Sequence, residues 1–240
     1  MILIFSVSCA KEIYTNEDAT NSKHEAQKVG LTVMVRDINH PTVDMSGFKV
    51  SASQCGQDTE SVTSADGLAN LMLIKGDAVL RITKTGHVSV TAVITTSATE
   101  KERNNTAVII PVFADKQITG TIKGNVSVKT SSTAEEPLVD ALVSIDVDVN
   151  QLIRLAFPGM SGNSDRYLPG ILAWSTENMM QPVRTSVSGA FQFTIPATVA
   201  DLPYTVHVHE TSSTSHTSHT VMTNGQNNHL VNIQLTPREE

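Results

Sequence analysis

Four of the eight histidines, His207, His209, His216 and His219, fall within one short stretch of the chain. In Tyr204-Thr-Val-His-Val-His-Glu210 every second residue is apolar, which is the period of a half-buried β-strand. That alternation turns Tyr204, Val206 and Val208 to one face and His207 and His209 together to the other. Two imidazoles at this spacing can share a transition metal, with His216 or His219 of the following Ser/Thr-rich segment as a third ligand. Spacing fixes no carboxylate or cysteine beside them. His207 and His209 therefore read first as solvent-facing histidines and second as a metal site, and no metal or cofactor is expected.

The other reactive groups assemble less. Asp146 and Asp148 share the outward face of one predicted strand, with Asp140 before it, but no Asp-x-Asp-x-Asp-Gly loop follows to wrap a hard cation in six or more oxygens. A solvated polar face is the simpler expectation. Nucleophilic catalysis has no Gly-x-Ser-x-Gly elbow, and there is no P-loop. Ser161, in Gly159-Met-Ser-Gly162, is only a loop serine. The chain reads as not an enzyme.

Its 240 residues carry 24 acidic against 17 basic side chains, a formal charge of −7, without a basic patch. Nucleic acid is thereby excluded as an expected partner. Two cysteines, Cys9 and Cys55, are too few for a disulfide framework or a four-cysteine zinc site. Cys9 closes the segment Met1-Ile-Leu-Ile-Phe5-Ser-Val-Ser-Cys9, an apolar run that ends in small residues before a cysteine. The segment lacks a basic start, its apolar core is shorter than the usual ~7 to 15 residues, and Ser6 stands where Leu is usual. Looser boxes of this kind resemble those of Bacteroides-type lipoproteins. The resemblance implies a lipid on Cys9 as a membrane anchor and a place in the cell envelope, at the outer membrane or cell surface. The alternative is that Met1 to Val7 forms a buried first strand. With Cys9 lipidated, Cys55 is expected as a free, buried thiol. No other run approaches the ~18 apolar residues of a membrane-spanning helix. Residues 11 to 28 are polar and aperiodic, so residues 1–28 read as a signal remnant and a flexible tether.

These groups must be positioned by β-structure. From Val29 onward, short alternating runs rich in β-branched residues are separated by Gly, Pro, Asn and Asp. Helical period is weak except near Gln151 to Ala156. The runs also repeat. Leu31-Thr-Val-Met-Val, Gly47-Phe-Lys-Val-Ser-Ala, Thr63-Ser-Ala-Asp-Gly67-Leu-Ala-Asn-Leu and Ala78-Val-Leu-Arg-Ile-Thr match a second series in the same order. That series is Ile118-Thr-Gly-Thr-Ile, Pro137-Leu-Val-Asp-Ala-Leu-Val-Ser-Ile, Thr185-Ser-Val-Ser-Gly189-Ala-Phe-Gln-Phe and Tyr204-Thr-Val-His-Val. Each series ends in a polar turn and an apolar strand, at Asn105 and Asn228. The expected units are residues 29–114 and 117–237.

The second series resembles the carboxypeptidase regulatory-like, transthyretin-like β-sandwich found in many Bacteroidetes surface lipoproteins. Pro137, Leu138, Ala141, Val143, Ile145, Thr185, Gly189, Phe191, Phe193, Tyr204, Val206 and Val208 carry the likeness. In the first series Met45 and Ser46 replace the Pro-Leu pair, and Leu68 with Asn70 replaces the two phenylalanines. The resemblance implies an all-β chain of two tandem antiparallel β-sandwiches with transthyretin-like, Ig-like architecture. It assigns no activity, because this architecture hosts many.

One segment breaks the repeat. Residues 151–182 have no counterpart in the first series and hold Phe157, Tyr167 and the single Trp, Trp174. A long insertion either pads the sandwich or binds something, and aromatic side chains are favoured contact anchors. Phe157, Tyr167 and Trp174 are thus the candidate binding residues, for a glycan, peptide or partner protein. Insertion into a membrane, as in pore-forming β-proteins, is a further alternative. The first expectation is a lipid-anchored surface protein acting as a non-catalytic structural or adhesive module.

Overall fold

The computed structural model describes residues 28–96, 106–113, 119–130, 134–156, 171–177, 179–209, 217–226 and 229–235. Among the described residues, sixteen strands and one helix follow in order. The first series gives β1 (Lys28–Asp37), β2 (Lys49–Gln54), β3 (Gln57–Val62), β4 (Leu68–Ile74), β5 (Gly76–Thr83), β6 (Val90–Thr96) and β7 (Thr106–Val112). The second gives β8 (Thr119–Lys129), β9 (Glu135–Pro137), β10 (Leu142–Val147), α1 (Val149–Ala156), β11 (Ile171–Thr176), β12 (Val183–Arg184), β13 (Ala190–Pro196), β14 (Leu202–His209), β15 (Thr217–Thr223) and β16 (His229–Leu235). The fold is all-β, as expected.

Four sheets form two sandwiches. In the first, β4-β1-β7 faces β6-β5-β2-β3; in the second, β13-β8-β16 faces β12-β10-β14-β15. Strand for strand the orders are the same. Not every pairing is antiparallel: β7 lies parallel to β1, and β16 parallel to β8. In both copies the last strand crosses back from the other sheet and arrives beside the first one in the same direction, which a direct hairpin cannot do.

Period two is read directly as burial. Along β14, Leu202, Tyr204, Val206 and Val208 are buried while the intervening residues are not. Phe191, Phe193 and Ile195 of β13 are buried in the same way. At about 1.5 to 3 kcal/mol for each fully buried large apolar side chain, these faces supply the main stabilisation of the sandwich.

The repeat extends to individual hydrogen bonds. Thr63 Oγ1 donates to the Met45 carbonyl at 2.5 Å and accepts from Phe48 N at 2.9 Å. Thr185 Oγ1 donates to the Leu138 carbonyl at 2.6 Å and accepts from Ala141 N at 2.9 Å. Gly67 and Gly189 follow, with φ of 71° and 75°. A Cβ on either would stand 2.3 Å from a backbone oxygen, Val35 or Val126, so only glycine fits both the angle and the space. These matches correct the sequence alignment by one position. Ala69 and Leu71, not Leu68 and Asn70, occupy the places of Phe191 and Phe193, and they are buried whereas Asn70 is exposed.

Two further expectations change. The predicted strand that carries Asp146 does not extend to Asp148. It ends at Val147, where Asp148 caps α1 by accepting from Asn150 N at 2.9 Å. Cys55 is not a free buried thiol. It sits exposed at the tip of the β2–β3 hairpin with φ of 51°, and it is disulfide-bonded. The chain's other cysteine, Cys9, lies outside the described residues.

Candidate functional site

The outer face of β12-β10-β14-β15 carries the histidines. His207 and His209 do share it, with ring centroids 6.3 Å apart. The ladder places Ser144 of β10 opposite His207 and Leu142 opposite His209. Their hydrogen bonds run diagonally: His207 Nε2 lies 3.2 Å from Asp146 Oδ2, and His209 Nε2 lies 2.7 Å from Ser144 Oγ. The two ε nitrogens thus turn to different partners rather than to one point. His219 does not join them. It stands opposite Val206, on the other face of β15. His216 lies outside the described residues, and among those described no group of three potential ligands surrounds a metal position.

Tyr204, the aromatic of the same strand, is wholly buried, and its hydroxyl approaches the Pro196 carbonyl at 3.5 Å. Burial pushes its phenol pKa well above the ordinary value of 10. It acts as core, not as an acid.

The basic hollow beside β5 is similarly committed. About 500 Å³ in volume, it is lined by Lys49, Arg81 and Lys84 with Gly47, Thr83, Thr85 and Ser89. Each cation has a local partner: Lys49 pairs with Glu60, Arg81 with Glu177, and Lys84 donates to the Ser46 carbonyl and sits over the Phe48 ring. An incoming anion would have to compete with these contacts.

The insertion assembles a larger arrangement. β11 does not join the second sandwich, in whose sequence it lies. It pairs antiparallel with β6 and becomes an added strand of the first sandwich, with Trp174 opposite Ala92. Trp174 is half-buried. Its Nε1 donates to the Pro111 carbonyl at 3.3 Å, and its ring meets Phe113 edge-on at 6.0 Å. It touches both hydrophobic cores, and Ile38, Val88 and Phe113 of the first series pack into the core of the second. Sequence reading placed Trp174 among the candidate binding residues; in the fold it packs at the junction of the two cores.

Around it the junction is clasped at further points. Helix α1 buries Leu152, Ile153 and Ala156 and lies against β7. Just past β11, Glu177 N donates to the Ser89 carbonyl at 2.9 Å, while Arg81 Nε and Nη2 reach its carboxylate at 2.6 and 3.0 Å. Those hydrogen bonds hold the Glu177 carboxyl below its ordinary pKa, against the opposing effect of partial burial. On the other side, Asp37 Oδ1 accepts from Asn39 N and His40 N and so fixes a turn. The turn presents the Asn39 amide to the second sandwich, donating to the Ala197 carbonyl at 2.9 Å and accepting from Val199 N at 3.1 Å. Sequence reasoning named none of Asn39, Arg81 or Glu177. Phe157 and Tyr167, the other two candidate binding residues, lie outside the described residues.

No protein family model matches the chain, and no curated protein matches it. Among solved structures it is similar to the Bacillus anthracis TIE protein at 13% identity and TM-score 0.31, covering 88% of this chain and 34% of that one. The chain therefore spans about a third of that protein. It is similar to GBS52, the minor pilin of Streptococcus agalactiae, at 11% identity and TM-score 0.38, covering 88% and 97%. It is also similar to a DUF3823 family protein from Bacteroides ovatus at 13% identity and TM-score 0.29, covering 82% and 98%. Likenesses at this level carry no argument about function. Among the described residues no helix is long and apolar enough to cross a membrane.

Proposed function

We propose that the chain is a non-catalytic structural or adhesive module of the cell envelope, attached through a lipid on Cys9. The observation that carries this reading is the use of the insertion as a clamp. Strand β11 completes a sheet of the first sandwich from within the sequence of the second, and Trp174 closes the seam. Such a seam resists bending between two small sandwiches, and that suits a protein that holds or spaces something at a surface. The groups with chemical potential fit the same reading, since His207, His209 and the cations of the hollow are taken up by neighbours. The disulfide at Cys55 belongs outside a reducing cytosol, which fits a place in the envelope.

The test is calorimetry on the chain from residue 28 onward. A rigid two-sandwich module unfolds in one cooperative transition, whereas two separate transitions overturn the reading. Recognition through Phe157 and Tyr167 is the alternative. A pull-down or glycan array would support it if a bound ligand is lost when residues 158–169 are replaced by a short Gly-Ser linker.

A further inference from the structure

Apart from the three-residue β9 paired to β8, the two sandwiches match strand for strand except at one edge. In the first, β6 pairs with β5 on one side and with β11 on the other. In the second, β15 holds the place of β6, pairs with β14, and is the last strand of its sheet among the described residues.

The correspondence is close. With Ala78 matched to Tyr204, the ladders set Ile94 opposite Ala78 and Ala92 opposite Leu80, and set Val221 opposite Tyr204 and His219 opposite Val206. Thr96 and Thr223, each two positions beyond, are both buried. The positions that receive Ile171 and Trp174 in the first sandwich, Ile94 and Ala92, thus become Val221 and His219 in the second. Ile94 and Ala92 are buried, whereas Val221 is half-buried, His219 is exposed and the neighbouring Met222 is 55% exposed.

The opposite ends of both sheets are blunted. β3 carries Asp58 and Glu60, and β12 is only two residues long. Charge and brevity are the usual guards of an exposed edge. β15 has seven residues, Thr-Ser-His-Thr-Val-Met-Thr, with neither Lys, Asp, Glu nor Pro.

We infer that the open side of β15 accepts an extended strand of a partner protein, as β6 accepts β11. Main-chain hydrogen bonds provide the attachment and alternate side chains the specificity. An apolar residue of the incoming strand lies opposite Val221. Because His219 is larger than Ala92, a small residue stands where β11 has Trp174. A second copy of this chain is a poor donor, since its β11 is already held by its own β6. The inference depends on the fold alone and not on where the protein resides.

The test supplies the strand in cis, where a short linker gives millimolar effective concentration. The segment Ile171–Thr176 carrying Trp174→Ser is appended after Glu240 through a Gly-Ser linker, and amide exchange is measured at residues 217–223. The expected result is exchange slowed at least tenfold there, with a raised melting temperature. A control segment carrying both Trp174→Ser and Ala173→Pro, which breaks the ladder, leaves exchange unchanged. Unchanged exchange with the first segment overturns the inference, as does equal slowing by the control. Protection of 217–223 that grows with concentration in the unextended chain also overturns it, because the edge is then filled by self-association.

Discussion

Trp174 donates its indole N–H to the carbonyl of Pro111 in β7, across the first sandwich that β11 joins, while its ring packs edge-on against Phe113. The pairing makes one side chain both an apolar filler and a polar latch. Trp174→Ala removes both and is expected to cost about 2 kcal/mol, less than full burial would give because the ring is half-buried. Trp174→Phe keeps most of the apolar contact and loses the hydrogen bond, at about 1 kcal/mol. Denaturant titration followed by far-UV circular dichroism reads both. Equal and negligible losses would show that the seam is held by β11 pairing alone.

Thr63 and Thr185 each bridge a carbonyl and an amide in the segment that leads into the second sheet. Thr→Val at either site keeps the shape and strands both backbone groups, so each is expected to cost about 1 to 3 kcal/mol. Thr→Ser retains the hydroxyl and should restore most of that loss. The two sites lie in separate cores, so the double variant should be close to additive. Thermal melts of the four single variants and the double Val variant test this, and a Thr→Val change without effect would remove the bridge from the list of what holds the fold.

Much of this was legible in the sequence because half-buried strands record their burial as a period of two. The faces of β13 and β14 and the turn glycines Gly67 and Gly189 follow from pattern and backbone chemistry. The repeat was legible too, though misaligned by one position where Ala69 and Leu71 had replaced phenylalanines and left little to match. The junction was not legible. Ile171-Leu-Ala-Trp-Ser-Thr176 looks like any short apolar run, and nothing local says that it pairs with β6 instead of a strand of its own repeat. Asp148 shows the other limit. As the next residue in an alternating series it reads as strand, but one side-chain hydrogen bond to Asn150 N turns it into the start of a helix.

The Arg81–Glu177 pair makes the seam sensitive to acid. Glu177 has a folded-state pKa below its ordinary 4.5. Its contribution is therefore fully present above about pH 4.5 and is lost as pH falls through the lowered folded value. Both side chains are partly exposed, which limits the effect to less than about 1 kcal/mol. Glu177→Gln should flatten the fall in stability below pH 4.5 by that amount and change little at pH 7 beyond loss of the ion pair. Melting temperatures of both proteins from pH 3 to pH 7 are the measurement. Parallel curves would mean that the acid response arises elsewhere.

The state of Cys9 decides whether the proposed lipid anchor exists. A sulfur carries either a lipid thioether or a disulfide, so lipid attachment at Cys9 excludes a bond from Cys9 to Cys55. Cys55 lies exposed on the β2–β3 hairpin and is disulfide-bonded in the structure. The proposal of a lipid anchor requires that the form isolated from membranes differ at this point, its Cys9 peptide carrying the mass of a diacylglycerol group. Cys9→Ala should then shift the chain from the membrane to the soluble fraction while leaving the sandwiches folded, since no described strand includes that residue. Mass spectrometry of the membrane-extracted protein, digested without reduction, distinguishes the two. Recovering the Cys9 peptide cross-linked to the Cys55 peptide, with Cys9→Ala still membrane-bound, would remove the lipid from the reading and assign the cysteine pair a stapling role on the first sandwich.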